Sequence, residues 1–272
     1  MNLPSGKGVY VWNQSTCLAA LKTLPALAQF IKDLGCTWVA PKIGNGYYAW
    51  PNLEAMLDAF KDAGLYVCGW WFNYGNDGEA AAMRTQVTRH KSRLDAFAHD
   101  AEVAISAARA NLDCASVSAA APELPQILNS WWSPKLHPEQ PFPEWFKHVD
   151  AIMPQVYPMG DPSTLGGVWR LDRSLAEYKA LGWTGPFLVA SAAFHEHGWS
   201  ATVAQMDAAH KANRDRGARG EAWWLLDQML SDNNVAFLDA IRAHSWDPAV
   251  PEPTDADKLA TLWAWYRETH AE

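Results

Sequence analysis

From residue 8 to residue 227 the chain alternates between short apolar runs bounded by turn residues and stretches with apolar residues at three and four spacing. The runs are GVYVW (8–12), TWVAPKI (37–43), LYVCGWWF (65–72), DAFAHDAE (95–102), CASVSAA (114–120), DAIMPQVY (150–157), PFLVASAAF (186–194) and EAWWLLD (221–227). Between them lie helical patterns such as CLAALKTLPALAQFIKDLG, NLEAMLDAFKDAG and SATVAQMDAAHKANRDRG, several ending in the glycine that commonly follows a helix. Strands that alternate with helices run parallel, and strands covered on both faces read as nearly continuous apolar runs.

Eight such units predict a single α/β domain, a (β/α)8 TIM barrel over residues 1–245. A doubly wound sheet would call for a glycine-rich phosphate turn after an early strand, and YVWNQST offers none. With 272 residues and 49% hydrophobic content, the chain can bury a full core in one domain. The helix near VAISAARANL reads as shorter than the rest, with strands 4 and 5 closely joined. Pro154 removes a ladder donor from strand 6, which implies a bulge or an early end. Residues 246–272 read as a Pro-rich acidic connector and a C-terminal helix packed on the barrel through Leu259, Leu262, Trp263 and Tyr266.

A formal charge of −8 without any Lys/Arg cluster argues against nucleic acid as a partner. No stretch approaches the ~18 uncharged apolar residues of a membrane span, and the first residues lack an export signal. The expectation is a soluble monomer, either cytoplasmic or a phage lysin released at lysis. Cys17, Cys36, Cys68 and Cys114 fall singly, as buried thiols do. Tryptophan is the outlier: 16 residues, against 9 Phe and 8 Tyr. Indoles supply a large core, or flat apolar faces with one donor each.

The active site of such a barrel lies at the C-terminal ends of its strands, so polar residues that terminate a strand are the candidates. The fourth run delivers Asp100 and Glu102, two positions apart and on the same side as Ala98. If that side is the interior, both acids enter the mouth together, and like charge with partial burial raises at least one pKa. A protonated carboxyl beside an ionised one is the equipment for cleaving a glycosidic bond: one protonates the leaving oxygen, the other stabilises positive character at the anomeric carbon. Glu102 and Asp100 are the catalytic candidates.

The layout from VAPKIGNGYYAWPNLEAMLDAFKDAGLYVCGWWFNYG through EAAAMRTQ to the strand carrying D-x-E resembles the lysozyme-type glycoside hydrolases of family 25. That resemblance implies a barrel that cleaves peptidoglycan next to N-acetylmuramic acid, with Glu102 as acid and Asp100 as its partner. Strand 1 reads GVYVWN where that family places an Asp, which makes Asn13 the candidate for that position; strand 8 lacks the family's acid-bearing ending. The chitinase-like barrels of family 18 are also similar, with D-x-E ending strand 4 and a Met and a Tyr on strand 6, here IMPQVYP. In their chemistry the substrate's own acetamido group is the nucleophile, so Tyr157 and Asp100 would hold it while Glu102 protonates the leaving oxygen. Their longer D-x-x-D-x-D-x-E run is absent.

Other strand ends pair a hydrogen-bonding group with an aromatic, the combination sugars require. The substrate-binding candidates are Lys42, Tyr47, Trp70, Asn73, Gln155, Tyr157, Trp224 and Asp227. Lys42 is also a candidate ion-pair partner for Asp100, and Asp227 an alternative electrostatic stabiliser or a helix cap. Trp38 and Trp223 are expected to face the outer helices. The rival signal is FHEHGW after strand 7, where His195, Glu196 and His197 could share a metal. Metal-dependent barrels collect ligands from several strands, however, so no metal or cofactor is expected. The leading expectation is a glycoside hydrolase acting on an N-acetylhexosamine-containing polysaccharide. A glycan-binding barrel without catalysis, as in a phage particle or surface assembly, and a metal-dependent hydrolase are the alternatives.

Overall fold

The structure, a computed structural model, describes residues 2–246. Strand β1 (Gly6–Val11) pairs in parallel with β2 (Trp38–Asn45) on one side and β8 (Gly220–Trp224) on the other. Between β2 and β8 the neighbours run in chain order through β3 (Tyr66–Phe72), β4 (Ala96–Ala101), β5 (Gln126–Trp131), β6 (Ala151–Val156) and β7 (Val189–Ala192), so the parallel sheet closes into the expected barrel. Helices follow each strand: α1 (Gln14–Leu21) and α2 (Leu24–Asp33), α3 (Leu53–Asp62), α4 (Glu79–His90), α5 (Ala107–Ala120), α6 (Phe142–Trp145), α7 (Gly166–Ala180), α8 (Val203–Asp215), and finally α9 (Leu226–Ser231) and α10 (Val235–Ala243). Among the described residues no helix is long and apolar enough to cross a membrane. The four cysteines are buried and unpaired. The expected C-terminal helix lies outside the described residues.

Side-chain alternation sorts the strands into two layers. Inward positions of the barrel combine large rings (Tyr10, Trp38, Trp70) with small residues (Ala40, Ala96, Ala98, Ala151, Ala190, Ala222), so the volumes compensate within the barrel. Outward positions such as Val9, Val39, Val67 and Trp223 pack against the helices. Trp223 therefore faces outward as expected, whereas Trp38 is inside. Gly8 explains how an indole fits there, because a Cβ on Gly8 would lie 2.4 Å from the Trp38 ring.

Three sequence expectations are corrected. The run CASVSAA is the C-terminal half of α5, not a strand; its buried residues Ala110, Cys114, Val117 and Ala120 recur at helical spacing. The helix expected to be short accordingly has 14 residues, and the fifth strand is QILNSW further on. Its Gln126, Asn129 and Ser130 hide it from an apolar search, yet each is buried and hydrogen-bonded. Pro154 neither ends nor bulges β6. The register with β5 runs unbroken from Ile127↔Ala151 to Trp131↔Gln155, and alternation turns the proline nitrogen toward β7, whose named pairing begins only at Gln155↔Ala190. The one register shift near the site lies instead between Lys42 and Gly44, where β2 meets β3.

Candidate active site

Asp100 occupies an inward position near the end of β4, and Glu102, one residue beyond the strand, keeps the same side. Asp100 is only 3% exposed, while Glu102 is half-buried. Two amides hold the pair. Asn129 Nδ2 and Gln155 Nε2 both donate to Asp100 Oδ1, at 2.8 and 2.9 Å, and Gln155 Nε2 donates its second hydrogen to Glu102 Oε1 at 2.6 Å. Asn129 is on β5 and Gln155 on β6, so three adjacent strands fix two carboxyls with three hydrogen bonds. Burial pushes the Asp100 carboxyl well above the usual carboxylate range, and the charge of Glu102 and a hydrogen bond between the two side chains push it further. Burial and like charge thus favour the protonated form of Asp100.

Both acids open onto a cavity of about 440 Å³, walled by Trp12, Trp70, Phe72, Tyr74, Phe194 and Trp224. A second cavity of about 290 Å³, lined by Trp131, Gln155, Tyr157 and Met159, adjoins it. Glu102, Phe194, Glu196 and Trp224 line both. Glu102 thus stands where two aromatic-walled compartments meet, with Trp131 Nε1 donating to its backbone carbonyl at 3.1 Å. Tyr157 lies close enough that burial, then the charges of Glu102 and Asp100, raise its phenol pKa. Below the pair, the Tyr10 hydroxyl reaches Met153 Sδ at 3.6 Å, and its ring meets Trp70 and Trp224 edge-on.

Of the candidate binding residues, Lys42, Trp70 and Trp224 line the larger compartment, and Gln155, Tyr157 and again Trp224 the smaller. Three stand elsewhere. Asn73 follows the inward Phe72 and so points outward, donating to Asp113 Oδ2 at 3.0 Å beneath the helices. Tyr47 sits at the tip of a hairpin made when Tyr48 and Ala49 fold back onto Asn45 and Gly44; it is exposed against Tyr48 rather than in either cavity. Asp227 does not end a strand, because β8 stops at Trp224 and Asp227 is in the first turn of α9. Its two oxygens accept from the Trp12 and Asn13 backbone N–H groups at 3.1 and 3.2 Å, pinning the exit of β1, while burial raises its pKa. Asn13 is spent on capping α1, its side chain accepting from Ser15 and Thr16.

Lys42 makes no ion pair with Asp100 within 4 Å among the described residues. Its Nζ sits instead over the rings of Trp70, Trp50 and Trp12, at 4.6, 5.0 and 5.2 Å. Burial lowers its pKa to about 8, against the opposing pull of Asp100 and Glu102.

Sequence reasoning did not single out Trp12, Asn129, Trp131 or Phe194. Trp12 and Phe194 each end an apolar run and could have been found by that signal. Asn129 and Trp131 were hidden with the misplaced fifth strand. Nor does FHEHGW gather ligands: His195 pairs with Asp232 at 3.3 Å, and His197 with Glu196 at 3.5 Å. The group of His, Cys and acidic side chains compact enough to hold an ion is, among the described residues, His210, Glu221 and His244. It lies near the start of β8, at the opposite end of the barrel from Glu102.

No family model matches the chain, and no curated protein matches it by sequence. Solved structures do resemble it. The spore cortex-lytic enzyme SleL of Bacillus megaterium QM B1551 superposes with a TM-score of 0.60 at 10% identity, over 92% of this chain and 76% of that one. An endo-β-1,4-mannanase from Thermotoga petrophila gives 0.64 at 8%, over 92% and 79%. A glycoside hydrolase family 18 N-acetylglucosaminidase from Paenibacillus barengoltzii gives 0.59 at 9%, over 88% and 99%. At such identities the shared property is the barrel fold.

Proposed function

We propose that this chain is a glycoside hydrolase that cleaves within an N-acetylhexosamine-containing polysaccharide, with Glu102 as the proton donor and Asp100 as its partner. The observation that carries this reading is the position of Glu102 at the junction of two aromatic compartments, held by Gln155 beside a buried carboxyl whose pKa burial raises. A glycosidic oxygen at that junction has one sugar on either side, each beside indole or phenol rings that suit its CH-rich face.

Proton transfer follows from the pair's arrangement. As the glycosidic bond lengthens, Glu102 delivers a proton to the leaving oxygen while the substrate's acetamido oxygen bonds to the anomeric carbon. The two carboxyls then carry more negative charge beside the anomeric carbon, where positive charge develops. Water finally displaces the acetamido oxygen and returns a proton to Glu102. Gln155 holds both carboxyls in one geometry through the event. Tyr157, across the smaller compartment, is available to donate to a substituent of the bound sugar, and an acetamido oxygen next to the anomeric centre fits that role.

Enzymes described as spore cortex-lytic and as an N-acetylglucosaminidase are among the barrels of like fold, beside a mannanase, so the substrate class rests on the site and not on the likeness. The test is a panel of chitin, peptidoglycan, mannan, xylan and uronic-acid-containing glycans, followed by tryptophan fluorescence and by release of reducing ends. Binding with turnover on an N-acetylhexosamine glycan is expected. Binding without turnover anywhere on the panel would establish the glycan-binding barrel instead.

A further inference from the structure

Lys42 is the buried cation that the fold itself does not employ. It occupies the third inward position of β2, after Trp38 and Ala40, and is 5% exposed. Lys7 is buried to the same degree at 4%, but its ammonium donates to the carbonyls of Leu34 and Ile241 at 2.9 and 2.6 Å, closing the ends of two helices. The Lys42 ammonium has no acceptor within hydrogen-bond distance among the described residues, and its contacts are the three indole faces. Taking an ammonium out of water is costly, and cation–π contact with the three rings returns part of that cost. None of its three N–H donors meets a protein acceptor among the described residues, and it lines the larger compartment.

The composition of that compartment sharpens the point. Lys42 is the one Lys or Arg among its lining residues; of the acids there, Asp100 and Glu102 accept from Gln155 and Glu196 faces His197, and among the described residues none reaches the Lys42 ammonium within 4 Å. Asp100 is held by the amides of Asn129 and Gln155 rather than by a counter-ion. A neutral sugar hydroxyl could be read by an amide without burying a charge, whereas a carboxylate offsets more of an ammonium's desolvation than a hydroxyl does, through a charge-assisted hydrogen bond about twice as strong as a neutral one. An uncoordinated point charge at the end of a tryptophan-walled slot suits a sugar ring that stacks while its acidic substituent reaches inward.

We propose that the larger compartment binds a sugar bearing a carboxylate, and that Lys42 is the residue that reads that carboxylate. This rests on the proposed hydrolase reading for the site and extends it to the substrate: the polysaccharide contains uronic-acid-type residues beside its N-acetylhexosamines, and the acidic sugar enters the Lys42 compartment.

The test uses the full chain with Glu102→Gln, so that binding is measured without cleavage. Tryptophan fluorescence, to which Trp12, Trp50 and Trp70 contribute at the site, is titrated with N-acetylhexosamine–uronate oligosaccharides and with the same oligosaccharides after reduction of their carboxyls to alcohols. The acidic form is expected to bind about tenfold more tightly. Adding Lys42→Met should erase that difference; Lys42→Arg should retain most of it. Equal affinities on the Lys42 protein, no binding of either form, or a preference that survives Lys42→Met overturns the proposal. Comparing the two sugars on the unsubstituted Lys42 background requires no Lys42 variant to fold. A preference for the acidic form with no cleavage by the wild-type chain would sink the hydrolase reading alone. Cleavage of neutral glycans without the preference would sink this one alone.

Discussion

Gln155 shows how much can rest on a single side chain. Its one amide nitrogen bonds both carboxyls, so losing it frees Glu102 and removes a hydrogen bond that lowers the Asp100 pKa. Gln155→Leu is expected to reduce turnover by roughly 10- to 100-fold, as small misplacements of reacting groups do. It should also move the alkaline limb of the rate profile to higher pH, since Asp100 then holds its proton longer. A slower enzyme with an unmoved profile would mean that Gln155 positions the substrate instead. Lys42 supplies a stability test with a definite sign. Its pKa falls from 10.5 in the unfolded chain to about 8 in the fold, so between those values the unfolded chain binds the extra proton. Stability then rises with pH across that window. Lys42→Met should be more stable than wild type at pH 7, by an amount on the order of 1–3 kcal/mol. Denaturant midpoints at pH 7 and pH 10 should show the gap narrowing; a constant gap would contradict the assigned burial cost.

At the scale of elements, α5 joins the barrel through buried Asp113, whose carboxyl accepts from Asn73 and is pushed up to about 7, chiefly by burial. The folded chain there keeps a proton that the unfolded chain loses near 4, so stability falls as pH rises from 4 to 7. Asp113→Asn keeps an acceptor for Asn73 and is expected to flatten that slope, stabilising the protein at pH 8 by about 1–3 kcal/mol. Thermal melts across pH 4–8 check this, and an unchanged slope would refute it. The same helix marks where sequence reading failed. Runs rich in Ala, Ser, Cys and Val carry little distinction between strand and helix, so CASVSAA passed for a strand while QILNSW, with three polar residues, did not. Seven of the eight strands were legible because outward Val, Ile and Leu and inward aromatics or alanines leave almost no polar residues in them. Asp100 and Glu102 were legible as a pair for the related reason that acids stand out in such a run. Asn73 and Tyr47 were misplaced because alternation past a strand end, and a hairpin closing on Gly44 and Asn45, decide direction.

Across the whole molecule, the two ends of the barrel do different work. Near the start of β8, Glu221 accepts from His210 and Asn213, and near the start of β1 Lys7 ties α2 to α10; both clusters are buried among strands and helices. At the other end the strand termini converge on an open, acid-bearing cleft with aromatic walls. The alternation of strand and helix sets that polarity, and it could be read before any coordinate was known, whereas which indoles face the cleft depended on register. The most direct measurement is the release of reducing ends from an N-acetylhexosamine-containing glycan by wild-type chain and by Glu102→Gln, at equal concentration and with matched melting temperatures. Steady release by the wild type and a loss of at least 1,000-fold on substitution is the expected result. Comparable rates from the two proteins would contradict the role given to Glu102.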